Sequence, residues 1–202
     1  MGSRVKKNTT PVVTLSDEQL DKIAEMVTTK IDAKLAAREK FVDTRLEELQ
    51  DENDLLKDKT DDLEQRNRLE NLRIFGVKEE EGENTDTLVL DVAAKLDLCS
   101  ISKTHISRSH RVGKKSADKP RAIIVKFVSY ATRQEIFMAK KKLKGSGISI
   151  REDLTSIRQA ILTKAYDNFD EVWSQGGVII IKDGKKFHRI RTMKKLDELI
   201  GK

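Results

Sequence analysis

The strongest constraint on the fold of this 202-residue chain is a stretch with neither glycine nor proline, which runs from Ser16 to the residue before Gly76. Ser16 is followed by two acids and a glutamine at positions 17–19. A serine hydroxyl caps free backbone N–H groups, the glutamine completes a capping box, and acids favour the positive end of the helix dipole. The stretch therefore predicts one long helix that begins just after Ser16.

Apolar residues recur every seven positions along this predicted helix. Assigned to position d of a heptad, they are Leu35, Val42, Leu49, Leu56 and Leu63. The a column is mostly polar, with Leu46 as its apolar member, so the pattern predicts a coiled coil of limited stability in which Asn53 favours one register. A single solvated helix is the alternative, but it does not explain apolar residues at regular intervals of seven.

The segment from Arg45 to Gln50 bears on the number of helices in this coiled coil. It places Arg at g, apolar residues at a and d, and Gln at e, which resembles the R-h-x-x-h-E pattern of parallel trimers. Gln in place of the final Glu removes an ion pair, so a homotrimer is favoured and a dimer stays open. The residues predicted to carry oligomerisation are Leu35, Val42, Arg45, Leu46, Leu49, Asn53, Leu56 and Leu63.

Charge is segregated along the chain. Residues 1–70 and 71–99 each carry a net charge of −4, whereas residues 100–202 combine 24 Lys and Arg with 10 Asp and Glu, a net charge of +14. A basic region carried on an oligomerising helix predicts a polyanionic partner that is contacted many times over. Simple solubility is the alternative interpretation of the positive charge.

Other kinds of chemistry find little support in the sequence. Cys99 is the only cysteine, so no intrachain disulfide or cysteine-based zinc site can form. The three histidines (105, 110 and 188) lack the spacing of metal ligands, and no phosphate-binding loop or nucleophile elbow occurs. We therefore expect no metal, no cofactor and no enzymatic activity. No run of 18 apolar residues is present, so no membrane partner is expected.

The pattern changes from helical to alternating at Leu72. The predicted elements that follow are a strand at 72–77, a helix at 85–98, strands at 104–112 and 121–128, a helix at 132–143 and a strand at 148–151. This βαββαβ order is the plan of the RNA-recognition motif. A second unit is predicted from a helix at 154–173, a hairpin over 178–190 with an Asp-Gly turn, and a closing helix at 193–200.

The prediction is therefore an α+β protein. An N-terminal parallel coiled coil precedes a domain like the RNA-recognition motif and a small helix–hairpin–helix C-terminal domain. The predicted boundaries are a flexible basic tail at 1–15, the coiled coil at 16–70, an atypical RNA-recognition motif at 71–153 and a C-terminal nucleic-acid-binding domain at 154–202.

Alternation in the first and third strands predicts which side chains face outward. The outer face receives Arg73, Phe75, Ala122, Ile124 and Lys126, and the core receives Ile74, Ile123, Val125 and Phe127. An RNA-recognition motif usually stacks bases on aromatic residues of these strands. Arg73, Ala122 and Ile124 occupy the stacking positions here, so the usual mode of base recognition is not expected.

Four segments together resemble the nucleic-acid-binding protein encoded by the first open reading frame of LINE-type retrotransposons. They are Leu72–Val77, Ser109–Gly113, Arg121–Phe127 and Arg151–Leu154. The resemblance covers about residues 72–202 and implies a trimeric coiled coil, an atypical RNA-recognition motif and a small C-terminal domain. It further implies a chaperone of single-stranded RNA or DNA with little sequence preference, which packages retrotransposon RNA into ribonucleoprotein particles in the cytoplasm and also the nucleus.

The resemblance also implies nucleic-acid-binding residues at matching positions. These are Arg73, Arg108, Arg111, Arg121, Arg151 and, in the C-terminal helix, either Arg158 or Lys164. The residues themselves add Lys126 on the outer face. They also add a set of lysines as diffuse phosphate contacts, namely Lys114, Lys115, Lys119, Lys140, Lys141, Lys142, Lys144, Lys185 and Lys186. Tyr166 and Trp173 are candidates for base stacking, although a core position is the alternative for Trp173.

Two further hypotheses compete with a single-strand nucleic-acid binder. The first is a coiled-coil scaffold or adaptor that binds protein partners through its sheet, which the missing aromatic residues favour and the charge of +14 on residues 100–202 opposes. The second is an enzyme such as a nuclease, which the sparse and scattered acids of that region disfavour. The expected partners are single-stranded RNA and DNA, and further copies of this chain.

Overall fold

The computed structural model of the chain describes residues 14–116 and 118–201. The predicted flexible basic tail at 1–15 lies outside the described residues except for its last two positions. The chain divides between Leu55 and Leu56 into two compact units. It is a mixed α+β protein in which one long helix precedes two antiparallel sheets.

The long helix, α1, spans Asp17–Asn67. Its predicted start is confirmed, because the Ser16 hydroxyl accepts a hydrogen bond from the Gln19 backbone at 3.3 Å while Gln19 Oε1 accepts one from the Ser16 backbone at 3.1 Å. The d residues of the heptad pattern form the predicted coiled-coil seam. Two of them, Leu35 and Leu49, are about half exposed in the single chain. Among the described residues, no helix is long and apolar enough to cross a membrane.

A middle module follows with the predicted element order. Its elements are β1 Asn71–Phe75, α2 Thr85–Lys95, β2 Ile106–Val112, β3 Ala122–Phe127, α3 Tyr130–Ala139 and β4 Ser149–Glu152, with short 3₁₀ turns at Lys103–His105 and Lys140–Leu143. The strands form one antiparallel sheet in the order β2-β3-β1-β4. Strands β1 and β3 are therefore the two central strands, and they lie beside each other.

The core of this module lies on the sheet face that the alternation predicts. Ile74, Ile123, Val125 and Phe127 are all at most 1% exposed, which confirms the prediction. They share one hydrophobic cluster with residues of α2 and α3, such as Ile136. The opposite face of the sheet carries charged side chains such as Arg73 together with apolar ones such as Ile124.

The C-terminal module has its own core. Its elements are α4 Ser156–Tyr166, β5 Glu171–Gln175, β6 Val178–Asp183, β7 Lys186–Ile190 and α5 Met193–Ile200. The strands form a three-stranded antiparallel sheet in the order β5-β6-β7. Ile161, Ile179, Ile181 and Leu196 are fully buried between this sheet and the two helices. The predicted hairpin and closing helix are confirmed.

The predicted helix at 154–173 is wrong in its second half. Helix α4 ends at Tyr166, where the backbone N–H groups of Asn168 and Phe169 both donate to the Ala165 carbonyl. Asp167 and Asn168 favour turns, and Val172 and Trp173 favour strands. Val172 is buried opposite Ile181, so pairing with β6 overrides the apolar spacing by four that predicted a helix.

A buried ion pair joins the end of α1 to the C-terminal module. Arg158 donates from Nε to Asp61 Oδ2 at 2.8 Å and from Nη1 to the Gly177 carbonyl at 2.6 Å. Asp61 also accepts a hydrogen bond from the Thr155 hydroxyl, and Arg158 also pairs with Asp62. The Arg158 and Asp61 side chains are each 4% exposed, so each charge depends on the other for compensation.

Gln65, about one turn beyond Asp61, supports the segment that links the two modules. Its Nε2 donates to the Asp153 carbonyl at 3.1 Å, and its Oε1 accepts from the Thr155 backbone N–H at 3.0 Å. Gly177 lies directly against it, since a Cβ at that glycine would come within 2.5 Å of Gln65 Cγ. The backbone φ of Gly177 is +72°, which also favours glycine.

Glu152 adds a third connection between the modules. It accepts a hydrogen bond from Arg133 Nη2 of α3 at 2.6 Å, and the two side chains are at most 2% exposed. It also accepts from the backbone N–H groups of Gly176 and Gly177 at the β5–β6 turn. This carboxylate therefore holds the turn of the C-terminal sheet against the last strand of the middle module.

The end of α1 presents two different faces within this compact unit. Asp61 and Gln65 occupy heptad positions b and f and are buried against the C-terminal module. The d residues Leu56 and Leu63 are 54% and 62% exposed. The module therefore packs on the side of α1 away from the predicted seam, and the seam stays accessible.

The buried ion pair between Arg158 and Asp61, which we call the junction, predicts a large loss of stability for Arg158→Ala. Removing the guanidinium leaves the Asp61 carboxylate buried without compensation, which we expect to lower the free energy of unfolding by about 3–5 kcal/mol. Urea denaturation followed by circular dichroism measures this. Lys164→Ala in the same helix is the control, because the exposed Lys164–Asp197 pair is expected to contribute about 1 kcal/mol or less. Equal effects of the two substitutions would contradict the role given to Arg158.

Candidate nucleic-acid interface

The outer face of the four-stranded sheet carries aligned basic side chains. The strand register places His110 opposite Ile124, Ile124 opposite Arg73, and Arg73 opposite Arg151. A neighbouring row places Arg108 opposite Lys126. Arg108, His110 and Arg151 are exposed, while Arg73, Ile124 and Lys126 are partly exposed. The register thus brings together four of the predicted binding residues on one surface: Arg73, Arg108, Lys126 and Arg151.

A cleft of about 1140 Å³ opens at the β4 edge of this sheet. One wall comes from the middle module and the other from α4 and β5 of the C-terminal module. Its cationic lining residues are Arg68, Arg73, Lys140, Lys141 and Arg151, and its aromatic lining residues are Phe75, Phe137, Tyr166 and Trp173. The cleft therefore combines positive charge with flat apolar surfaces.

Cations and aromatic rings are in direct contact at this cleft. The Arg151 guanidinium carbon lies 5.2 Å from the centre of the Phe75 ring, and Lys140 Nζ lies 3.6 Å from the centre of the Phe137 ring. Burial lowers the pKa of the Lys140 ammonium from its usual value of 10.5. Tyr166 is 57% exposed on the opposite wall. A flat ligand can thus meet both a ring and a cation here.

Asp153 orients two of the arginines at the mouth of the cleft. Its Oδ1 accepts from Arg73 Nε at 2.6 Å and from Arg68 Nη1 at 3.2 Å. Its Oδ2 accepts from Asn71 Nδ2 at 2.9 Å. The Asp153 side chain is 1% exposed and that of Arg73 is 36% exposed. Arg73 is therefore held in place by a buried carboxylate while part of its guanidinium faces outward.

Arg111, a predicted binding residue, is surrounded by protein acceptors. Its side chain is 4% exposed and donates to Glu83 from Nε at 2.6 Å. It also donates to the backbone carbonyls of Val77, Lys78 and Arg121. The structure therefore gives Arg111 the role of fastening the acidic loop at 78–83 to the sheet.

Arg121 is paired with the same acidic loop. It donates to Glu79 Oε1 from Nη2 at 2.6 Å and from Nε at 3.0 Å, and its backbone N–H donates to Glu79 Oε2 at 3.2 Å. The side-chain hydrogen bond from Arg121 is the main cause that lowers the pKa of Glu79 from 4.5 to about 2. A hydrogen bond from Arg111 likewise lowers the pKa of Glu83.

The remaining predicted residues divide into buried and exposed groups. Arg158 lies in the buried junction described above, whereas Lys164 is partly exposed and pairs with Asp197 at 2.6 Å. The two candidates that sequence alone left open thus differ in accessibility. Lys185 and Lys186 are exposed at the β6–β7 turn. The structure does not bring Arg111, Arg121 or Arg158 into the cleft lining.

Several members of the cleft could not be predicted from the sequence. Arg68 lies within the predicted coiled coil and Phe137 belongs to no predicted site, but both line the cleft. Their signal is weak, since neither belongs to a repeat or a motif. The partners of the arginines were missed as well, although the acidic composition of the loop at 78–83 was visible in the sequence.

Metal chemistry finds no site in the described part of the chain. Over residues 14–116 and 118–201, no group of three His, Cys, Asp or Glu side chains is placed to hold a metal ion. Cys99 is a free and exposed thiol.

The Glu79–Arg121 pair predicts a pH-dependent contribution to stability. Because the folded-state pKa of Glu79 is depressed, the contribution is present above the usual pKa of 4.5 and is lost as pH falls towards about 2. We expect the melting temperature of Glu79→Gln to lie below that of the original chain above pH 4.5 and the gap to close with acidification. Thermal unfolding over this pH range measures it.

Glu81→Gln is the control for this experiment, because it changes the same charge in the same loop and leaves the Glu79–Arg121 pair intact. The gap between Glu81→Gln and the original chain is expected to stay smaller at every pH above 4.5. A Glu79→Gln gap that keeps its size down to about pH 2 would overturn this account of the pair.

Comparisons with known proteins leave the function to be inferred from the geometry. No protein-family model matches this chain, and no curated protein is significantly similar to it. The resemblance to the first-frame proteins of LINE-type retrotransposons therefore stays a prediction. The chemistry of the cleft and of the adjoining sheet face is the basis for a functional assignment.

Proposed function

We propose that this protein is an oligomeric binder of single-stranded RNA or DNA that acts as a nucleic-acid chaperone. The observation that carries the proposal is the cleft that is lined both by the cations Arg151 and Lys141 and by the rings of Phe75 and Tyr166. A single strand offers both phosphates and exposed base faces. A duplex stacks its bases inside, so it can use only the cations of such a cleft.

The continuity of the cleft with the sheet face supports a polymer as ligand. The cleft of about 1140 Å³ continues into the basic outer face of the sheet at Arg73 and Arg151. Stacking on aromatic rings tolerates any base, and phosphate contacts carry no sequence information. Binding with little sequence preference is therefore expected.

We assign the middle module to the RNA-recognition-motif class and the C-terminal module to a nucleic-acid-binding role beside it. The element order and the strand order β2-β3-β1-β4 support the assignment. Ala122 and Ile124 still stand where stacking residues are usual. We therefore assign base stacking to the edge of the sheet, where Phe75 lines the cleft beside the C-terminal module.

Oligomerisation through α1 completes the proposal. The exposed d residues of α1 provide an apolar seam, and the buried face at Asp61 and Gln65 leaves that seam free. A parallel trimer would join three basic units, so weak local contacts would add up through effective concentration. Rapid local release with overall retention is what a chaperone requires. Packaging of retrotransposon RNA is the biological role that the sequence resemblance suggests.

The cleft predicts a shallower salt dependence for the double variant Lys141→Ala with Arg151→Ala. Each lost phosphate contact is expected to reduce the slope of log K against log salt by about 0.7 for a single strand. Fluorescence anisotropy of a labelled, unstructured RNA over a salt series measures both affinity and slope. The variant is expected to bind more weakly than the original chain at every salt concentration.

The matched control is Lys34→Ala with Lys40→Ala, which removes the same charge from exposed heptad positions c and b of α1. Its affinity and slope are expected to stay close to those of the original chain. Equal weakening by both double variants would mean that the cleft binds RNA only through the general positive charge of the protein. An original chain that does not bind RNA at low salt would refute the proposed function and favour the adaptor hypothesis.

The seam predicts opposite outcomes for two similar leucines. Leu49 at position d and Leu55 at position c are 46% and 54% exposed in the single chain. Leu49→Lys places a charge in the predicted seam and is expected to dissociate the oligomer, whereas Leu55→Lys is expected to preserve it. Light scattering coupled to size-exclusion chromatography measures the mass. Loss of assembly in both variants, or in neither, would contradict the heptad assignment.

A further inference from the structure

The outer face of the C-terminal sheet carries a pair of aromatic rings, of which Phe187 is exposed and Trp173 is partly exposed. The register places Trp173 opposite Ile180 and Phe187 opposite Lys182. The ring centres of Trp173 and Phe187 are 6.3 Å apart, in an edge-to-face arrangement with an interplanar angle of 76°. Phe187 is 63% exposed. A large ring with this exposure on a regular strand contributes little to the module's own core.

The face beneath the rings is apolar at its centre. Ile179 and Ile181 point into the core and are fully buried, so alternation places Ile180 on the outer side. Ile180 is nevertheless only 7% exposed, flanked in register by Trp173 and Arg189. The outer face thus has a buried apolar residue at its centre, with the two aromatic rings on the same face. We call the surface formed by Trp173, Ile180 and Phe187 the platform.

Positive charge predominates around this platform. The segment from Lys182 to Arg191 contains five basic residues and a single acid, Asp183. One further acid lies on this face, because Glu171 is opposite Lys182 and pairs with it at 2.6 Å. Four of the basic residues are exposed: Lys185, Lys186, Arg189 and Arg191. The centres of protein–protein interfaces are depleted of charged residues. Aromatic rings beside cations instead suit the bases and phosphates of a nucleic acid. The charge therefore favours nucleic acid over protein as the occupant.

The platform is continuous with the proposed binding cleft. Trp173 stands on the outer face of the sheet and also lines the cleft. A strand that leaves the cleft past Trp173 would reach Phe187 next. The aromatic pair that is missing from β1 and β3 of the middle module thus has a counterpart on β5 and β7.

We propose that Trp173 and Phe187 form a second base-stacking surface, which extends the path of the single strand beyond the cleft. The proposal rests on the proposed function and adds a site to it. The ligand is a nucleobase of single-stranded RNA or DNA, held by ring stacking while Arg189, which lies on the same face as Phe187, contacts a flanking phosphate.

Phe187→Ala tests the platform in the full-length chain. The probes are a fluorescent oligothymidylate and an abasic strand of the same length, which keeps the phosphates and lacks the bases. Phe187→Ala is expected to weaken binding of oligothymidylate by about tenfold and to leave binding of the abasic strand unchanged. Phe41→Ala is the control, because Phe41 is 71% exposed on α1 outside the seam, and it is expected to alter neither affinity.

Phe187→Lys separates stacking from charge at the same position. A surface that works by charge alone would bind both strands more tightly after this substitution. The platform predicts weaker binding of oligothymidylate together with equal or tighter binding of the abasic strand. Tighter binding of oligothymidylate would overturn the proposal.

The emission of Trp173 provides a direct signal, because it is the only tryptophan of the chain. Oligothymidylate is expected to quench this emission, and the abasic strand is expected to leave it unchanged. Unaltered emission on saturation with oligothymidylate would overturn the platform.

The outcomes also distinguish the platform from the proposed function. If Phe187→Ala binds oligothymidylate as tightly as the original chain while the cleft variant is weakened, the platform is refuted and the proposed function stands. If the original chain binds neither strand, both are refuted.

Discussion

The buried Arg158 guanidinium connects three parts of the chain that are distant in sequence. Arg158 lies in α4. Its guanidinium pairs with Asp61 of α1 and donates a hydrogen bond to the Gly177 carbonyl beside β6. A buried charge is costly unless its partners are well placed, so this pairing tolerates little displacement of the three segments. Glu152 and Asp153 add further buried acceptors on the same link. The walls of the cleft therefore depend on one polar network.

Protein-paired and exposed basic residues take different roles in this molecule. The arginines at 111, 121, 133 and 158 use their planar, multiply donating groups on protein acceptors. The exposed positive charge of the cleft and the β6–β7 turn comes from Arg151 and from lysines such as Lys141 and Lys186. Lysine contacts phosphate as a point charge without fixed geometry. Several exposed charges of this kind suit the proposed binding of any single-stranded sequence, with many weak contacts in place of a few specific ones.

Features that follow from a periodic pattern could be predicted from the sequence, whereas the hydrogen-bond partners of the buried arginines could not. Alternation in β1 and β3 predicted the buried positions of Ile74 and Phe127, because a strand has one strict period. The end of α4 was misjudged because the spacing of Ile161, Ala165 and Phe169 also fits a helix, and only pairing with β6 decides for a strand at Val172. The roles of Arg111 and Arg158 escaped prediction because their partners lie 28 and 97 residues away, and no local pattern encodes such distances.

The proposed function requires a single strand to lie in the cleft between the two modules. Photo-crosslinking of an unstructured RNA that contains 4-thiouridine, followed by mass spectrometry of the crosslinked peptides, shows where the strand lies. Crosslinks are expected at the cleft aromatics Phe75, Tyr166 and Trp173. Crosslinks confined to α2 and the acidic loop at 78–83, or spread evenly over the exposed lysines of α1, would contradict the proposed function.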